Sequence, residues 1–192
     1  MPSLYVIADP NGAGKTTFIK RFAPSELALL DFLNADEIAR GLSPFAPARA
    51  QLEAGRIVLT RFRQFVAKAR DFCLETTRSG RTYRRLLEDA RARGYRIQLD
   101  YLMLPSVAHS IRRVADRVEA GGHDVIESDL RRRFTVSLQN LFSIYRSVVD
   151  KWTLHSNEVL RPRVIAYGTA EEIEILDHAK FDKIRAEFSL SV

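Results

Sequence analysis

Short apolar runs bounded by turn residues alternate along this chain with stretches whose apolar positions recur at helical spacing. A short apolar run of this kind predicts a buried strand, and apolar positions every three or four residues predict an amphipathic helix. The predicted strands cover residues 4–8, 31–34, 72–75, 95–104 and 163–167. Because strands and helices alternate, the pattern predicts an α/β fold with three layers and a mostly parallel central sheet.

The predicted helices lie between and after these strands, at residues 15–22, 36–40, 48–69, 81–93, 107–118, 129–149 and within 171–188. In the longest of them, helical spacing is expected to place Leu52, Leu59, Phe62 and Val66 in the core, with Val58 and Phe65 beside them. The 192 residues suit a single domain. Residues 106–135, which include the Gly121-Gly122 pair, are expected to form a helical lid.

A glycine-containing loop follows the first predicted strand and leads into a helix. Residues 9–16 read DPNGAGKT, which matches the end of the phosphate-loop pattern G-x-x-x-x-G-K-[ST]. Backbone N–H groups of such a loop, together with the helix N-terminus, bind phosphate oxygens. We therefore expect Lys15 to contact the β- and γ-phosphates of ATP and the Thr16 hydroxyl to bind Mg²⁺. The expected nucleotide-binding residues are Asn11, Gly12, Ala13, Gly14, Lys15, Thr16 and Thr17.

Asp9 stands where the phosphate-loop pattern begins with glycine. It brings a negative charge near the triphosphate and lacks the backbone freedom of glycine. Two interpretations follow: Asp9 weakens nucleotide binding, or its side chain points away and has little effect.

Composition limits the partners and the location of the protein. A formal charge of +6 favours anionic ligands, but the basic residues are scattered and no aromatic recognition motif accompanies them, which argues against nucleic acid. No apolar run approaches the roughly 20 residues that span a bilayer, and the first residues do not resemble a signal peptide. Cys73, the single cysteine, cannot form an internal disulfide and is expected to be a buried thiol. We therefore expect a cytoplasmic protein that does not contact a membrane.

Four segments resemble the zeta-toxin family of P-loop kinases, namely residues 9–17, 32–38, 75–80 and 113–123. The resemblance extends over most of the chain, from about residue 4 to residue 168. It implies an enzyme that transfers the γ-phosphoryl group of ATP to a hydroxyl of a small molecule, which for the family's toxins is UDP-N-acetylglucosamine. It also implies that an antitoxin protein is a candidate partner.

The resemblance assigns roles to individual residues. Asp36 matches the aspartate that acts as base toward the acceptor hydroxyl, although its position also suits a helix cap. Glu75 and Thr77 match a substrate-binding block, where a carboxylate could equally hold a Mg²⁺-bound water, and Arg40 is expected to contact substrate. The family's arginine after this block and its glutamate on the preceding long helix have no secure counterparts here, so the acceptor stays open.

Arginines on both sides of the Gly121-Gly122 pair are candidates for a catalytic lid. P-loop kinases use mobile arginines to neutralise charge on the transferred phosphoryl group. Arg117 is expected to act with Arg132 or Arg133, and we choose Arg132; a solvated basic helix surface is the alternative. The predicted catalytic residues are therefore Lys15, Asp36, Arg117 and Arg132.

Two other functions fit the same sequence. One is a kinase with a different acceptor, such as an antibiotic hydroxyl or the 5′-hydroxyl of a polynucleotide. The other is a non-catalytic nucleotide-binding protein, a hypothesis that rests on Asp9.

Overall fold

A computed structural model describes residues 1–10, 12, 14, 15, 18, 30–76, 82–119, 125–158 and 162–190. Its strands are β1 Ser3–Ala8, β2 Asp31–Leu33, β3 Phe72–Thr76, β4 Arg96–Met103, β5 Lys151–Ser156, β6 Arg163–Gly168 and β7 Ile173–Ile175. Its longer helices are α1 Ala35–Leu42, α2 Gln51–Ala67, α3 Thr82–Ala92, α4 Val107–Glu119, α5 Glu127–Asn140 and α6 His178–Phe188. A 3₁₀ turn, Pro47–Ala50, precedes α2, and a π turn, Leu141–Tyr145, follows α5.

All the strands belong to one sheet in the order β2-β3-β1-β4-β5-β6-β7. The pairs from β2 to β5 are parallel, and β6 and β7 join the edge antiparallel. The α/β fold with a mostly parallel central sheet, predicted from the sequence, is confirmed. Because β1 lies between β3 and β4, with Ala8 level with Thr76 and Tyr101, chemistry-bearing residues that follow these strands meet at one edge.

The apolar runs of the central strands are buried on both faces, as parallel strands require. Val6 and Ile7 of β1 and Leu74 of β3 have no exposed surface. Cys73 of β3 is buried as expected. Burial, reinforced by the negative charges of Glu75 and Asp100, raises the pKa of the Cys73 thiol to about 12. The thiol therefore stays protonated at neutral pH.

The long helix begins later than the pattern predicts, and its buried face agrees with the predicted stripe at Phe62 and Val66 and with the flanking Val58 and Phe65. Helix α2 buries Ala54, Val58, Phe62, Phe65 and Val66. Leu52, which we expected in the core, is 72% exposed, and Leu59 is only partly buried. The reason is that Ala50 and Ala54 pack against Ala39 of α1, and a residue two positions from Ala54 points away from that contact.

In the second half of the chain one predicted helix is too long, and two strands are not predicted. The helix expected over residues 129–149 runs over Glu127–Asn140 and ends in the π turn, and β5 follows it without a predicted strand. The C-terminal helix His178–Phe188 lies within the predicted range of 171–188; Asp177 caps it by accepting from Lys180 N at 3.0 Å, and β7 precedes it without a predicted strand. The Gly121-Gly122 pair lies outside the described residues.

None of the helices within the described ranges combines the length and the apolar character needed to cross a bilayer.

Candidate active site

The phosphate loop is held against helix α4 at a point where only glycine fits. Gly12 and Gly14 have φ angles of +77° and +76°, in the left-handed region that favours glycine. A Cβ on Gly12 would lie 3.2 Å from the carbonyl oxygen of Ser110 in α4. Arg113 of the same helix donates from Nη1 to Gly12 O at 3.4 Å. The loop and helix α4 are therefore in direct contact.

Lys15 follows this loop and is buried in a cluster of carboxylates. Its ammonium group donates to Oδ1 of Asp9, which is 1% exposed, and lies 3.7 Å from Glu75 Oε1 at the end of β3. Burial by itself would lower the pKa of Lys15, but attraction to Asp9, Glu75 and more distant Asp36 outweighs it and the pKa is raised. Asp9 thus points toward the lysine that a phosphate loop uses to bind nucleotide.

Asp36 lies in the first turn of α1, but it does not cap that helix. Asn34 occupies the N-cap position, and its Oδ1 accepts from Asp36 N at 2.8 Å and from Glu37 N at 3.2 Å. The Asp36 carboxylate instead accepts from Gln51 Nε2 at 3.2 Å. The helix-cap alternative for Asp36 is therefore wrong, and its side chain borders a cavity.

This cavity, of about 480 Å³, lies beside the phosphate loop between β3, α1, α4 and α5. The charged residues that line it are Lys15, Asp36, Glu75, Arg117, Asp129 and Arg133. The polar and aromatic residues that line it are Asn34, Gln51, Thr76 and Tyr83, with Ala35, Val125 and Ile126 completing the wall. Lysine, acidic residues and arginines from five different elements thus share one solvent-accessible space.

Arg117 and Arg133 line the cavity, whereas Arg132, which we chose from the sequence, does not. Arg132 donates to Asp129 Oδ1 at 3.0 Å, with about half of its side chain in solvent, and is not part of the wall. Arg133 donates to Asp129 Oδ2 at 3.3 Å and faces the cavity. The hydrogen bond from Arg132, with the charges of both arginines, lowers the pKa of Asp129, which stays ionised.

The other predicted substrate residues have different positions. Glu75 lines the cavity, whereas Arg40 is paired with Glu37 at 2.8 Å on the solvent side of α1 and does not reach it. The expected roles of Asn11, Ala13, Thr16, Thr17 and Thr77 fall on residues outside the described ranges. Asn34 and Thr76 lie in segments that the sequence singled out, whereas Gln51, Tyr83 and Asp129 were not identified as site residues from the sequence.

Within the described part of the chain, no group of three or more histidine, cysteine, aspartate or glutamate side chains has the arrangement of a metal site.

The two arginine positions make a matched pair for mutagenesis. Arg117→Ala is expected to lower the kcat of phosphoryl transfer about 100-fold with little change in the KM for ATP, because a lid arginine acts on charge that develops in the transition state. Arg132→Ala, on the solvent side of α5, is the control and is expected to retain wild-type kinetics. Steady-state kinetics measure both. Equal losses in ATP binding and in turnover for Arg117→Ala would identify a ground-state contact instead.

The contact between Asp9 and Lys15 predicts that a change at Asp9 strengthens nucleotide binding. Asp9→Gly should raise the affinity for Mg²⁺ and a non-hydrolysable ATP analogue by up to about 100-fold, since the phosphates no longer compete with a buried carboxylate for Lys15. Asp9→Asn keeps the side-chain size and removes the charge, so it separates charge from shape. Calorimetric titration compares the three proteins. Unchanged affinity in both variants would mean that Asp9 does not oppose binding.

The chain is similar in sequence to one known protein and in fold to several solved structures. No family model matches the chain. An uncharacterized protein of Haemophilus influenzae is 27% identical over 124 residues, which cover 65% of this chain and 86% of that protein.

Three solved structures are similar in fold. The complex of AvrRxo1-ORF1 with AvrRxo1-ORF2, determined with sulphate ions, has a chain that matches with a TM-score of 0.73 at 14% identity, over 96% of this chain and 63% of that one. A chain of the PezAT chromosomal toxin-antitoxin system of Streptococcus pneumoniae matches with a TM-score of 0.57 at 17% identity, over 84% and 72%. A candidate kinase from Chloroflexus aurantiacus matches with a TM-score of 0.55 at 14% identity, over 69% and 77%.

The glycine loop, the sheet order and these likenesses define the class as a P-loop kinase fold. The sequence resembles the zeta-toxin family of P-loop kinases, and the structural likenesses confirm this resemblance at the level of the fold. The chain spans about 63% of the AvrRxo1-ORF1:AvrRxo1-ORF2 chain that it matches, so the activity and the partners of that whole assembly are not transferred to it.

Proposed function

We propose that this protein is an ATP-dependent kinase that phosphorylates a hydroxyl group of a small molecule. The observation that carries the proposal is the convergence of Lys15, Asp36, Glu75 and Arg117 on one cavity beside a glycine-rich phosphate loop. A cation for the phosphates, a carboxylate for the acceptor hydroxyl and an arginine for the developing charge are the components that phosphoryl transfer requires.

The residues of the loop suit a nucleotide. Gly12 and Gly14 keep the backbone free of side chains, and Lys15 remains a cation at the cavity wall. We expect Mg²⁺ to accompany ATP, held by the Thr16 hydroxyl and the phosphates; the metal would neutralise charge on the transferred group. Asp36 would orient the acceptor hydroxyl and take its proton as the hydroxyl oxygen bonds to the γ-phosphorus, while the bond from that phosphorus to the bridging oxygen breaks and ADP leaves.

The finer parts of the proposal concern the acceptor and a partner. The cavity has polar and charged walls with one aromatic side chain, Tyr83, which favours a polar acceptor such as a UDP-activated amino sugar. The fold likeness to a chain of a toxin-antitoxin system supports an antitoxin as a candidate protein partner. A cytoplasmic location is consistent with the use of ATP.

One experiment tests the activity without a prior choice of acceptor. The protein is incubated with γ-labelled ATP, Mg²⁺ and a fractionated metabolite extract, with UDP-N-acetylglucosamine as a separate single acceptor, and labelled products are identified by mass spectrometry. A labelled small molecule that is absent with Asp36→Asn supports the proposal. Absence of transfer to every fraction and to water, with ATP bound, would overturn it.

The Asp9–Lys15 contact supports a second candidate, a nucleotide-binding protein without catalysis. In that case ATP would bind weakly and remain intact, and Asp9→Gly would raise binding without creating turnover. Measuring ATP turnover together with affinity therefore distinguishes the two functions.

A further inference from the structure

Gln51 lies on the cavity wall beside Asp36, at the first residue of α2. Its Nε2 donates to Asp36 Oδ1 at 3.2 Å. Because an ionised carboxylate can only accept hydrogen bonds, the amide nitrogen of Gln51, and not its oxygen, must face Asp36. This contact engages one carboxylate oxygen of Asp36, and the exposed carboxylate has further lone pairs that could accept from a hydroxyl in the cavity.

The packing of helix α1 against helix α2 brings the side chains of Asp36 and Gln51 close together. Ala39 of α1 packs against Ala50 and Ala54 at the start of α2, with Ile38 beside them. Alanine at all three positions allows the two helix backbones to approach closely. Asn34 fixes the first turn of α1 by capping it. The backbones that carry Asp36 and Gln51 are therefore held at a set separation by buried contacts, although the two side chains are accessible.

We infer that Gln51 is a positioning residue for phosphoryl transfer, which it assists by holding the Asp36 carboxylate in the orientation that accepts the hydroxyl proton. This inference rests on the proposed role of Asp36 as base. An accessible aspartate samples several rotamers, and a hydrogen bond from a neutral amide to its charge favours one of them. Because transfer rates depend steeply on the alignment of the reacting groups, loss of this contact should slow the chemical step.

Gln51→Leu removes the donor and keeps a side chain of similar size. We expect kcat to fall about 10-fold while the KM for ATP stays unchanged, since Gln51 acts through Asp36 and not on the nucleotide. Gln51→Glu, which places a like charge beside Asp36, should lower kcat at least as much. Gln64→Leu is the matched control, because Gln64 is an exposed residue of the same helix away from the cavity, and it should behave as wild type. Thermal unfolding of each variant checks the fold.

A double-mutant cycle of Gln51→Leu and Asp36→Asn tests whether Gln51 acts through Asp36 or in some other way. In the Asp36→Asn background, the additional Gln51→Leu change should cause no further loss of turnover, whether the labelled phosphate is transferred to the acceptor from the extract or to water. Additive losses would overturn the inference, as would wild-type kcat in Gln51→Leu. If Asp36→Asn itself retains wild-type turnover, or if the wild-type protein transfers no phosphate, the proposed function fails and the inference fails with it. Loss with Asp36→Asn but not with Gln51→Leu refutes the inference alone.

Discussion

Lys15→Ala is expected to lower phosphoryl transfer about a thousandfold, which corresponds to roughly 4 kcal/mol of transition-state stabilisation. The lysine is the cation of the phosphate loop, and its ammonium group lies at the wall of the cavity with the pKa raised above its ordinary value. Its removal takes away the positive charge that would bridge the β- and γ-phosphates. Turnover is measured with γ-labelled ATP at saturating nucleotide. Wild-type turnover in the variant would refute the assignment of the phosphate loop.

The buried contact between Lys15 and Asp9 demands a control for this variant. Deleting one member of a buried ion pair costs about 3–5 kcal/mol, a large share of the roughly 5–15 kcal/mol that keeps a domain folded. Lys15→Ala could therefore lose activity because the protein unfolds. The double variant Asp9→Gly/Lys15→Ala removes both charges, so it should regain stability in a thermal melt while transfer stays absent. Recovery of activity in the double variant would show that the lysine is dispensable for catalysis.

Asp36→Asn is expected to reduce transfer to the acceptor by about 100- to 10,000-fold and to leave ATP affinity near the wild-type value. Asparagine keeps the shape of the side chain and removes its basicity. Asn34, and not Asp36, caps helix α1, so the substitution should not destabilise that helix. Single-turnover kinetics measure transfer, and calorimetry with an ATP analogue measures binding. Turnover near wild type would refute the role of Asp36 as base.

Glu37→Gln is a matched control for this substitution. Glu37 neighbours Asp36 in the first turn of α1, pairs with Arg40 on the solvent side and is not part of the cavity wall. It should retain transfer, which would exclude a general effect of removing charge from the start of the helix.

The features that the sequence predicted correctly are those encoded by adjacent residues. The run of apolar residues in β1 specifies a strand, and the Gly-Lys-Thr a few residues later specifies the loop and the position of Lys15. Strand β5 was harder to predict, because it follows a helical turn without a glycine or proline to mark the boundary. Its Trp152 and Leu154 are buried, but so short an alternation is ambiguous.

The contacts that sequence reasoning missed join residues from different elements. Gln51 meets Asp36 because two helices pack through alanines, and no local pattern reports that contact. The choice between Arg132 and Arg133 depends on the rotation of α5 about its axis, since neighbouring residues of a helix point about 100° apart. Periodicity could identify a basic segment, but only the packed helix shows which arginine faces the cavity.

The rate at which a thiol reagent modifies Cys73, the single cysteine of the chain, can report how often the sheet opens. Cys73 lies on β3, which pairs with β1 on one side and β2 on the other, and its raised pKa and burial keep it unreactive while the sheet is closed. A thiol reagent can modify it only in molecules whose sheet has opened, so the modification rate reports the free energy of that opening without denaturant. Because Glu75 of the same strand lies 3.7 Å from Lys15, a bound nucleotide that stabilises this part of the sheet should slow the modification of Cys73.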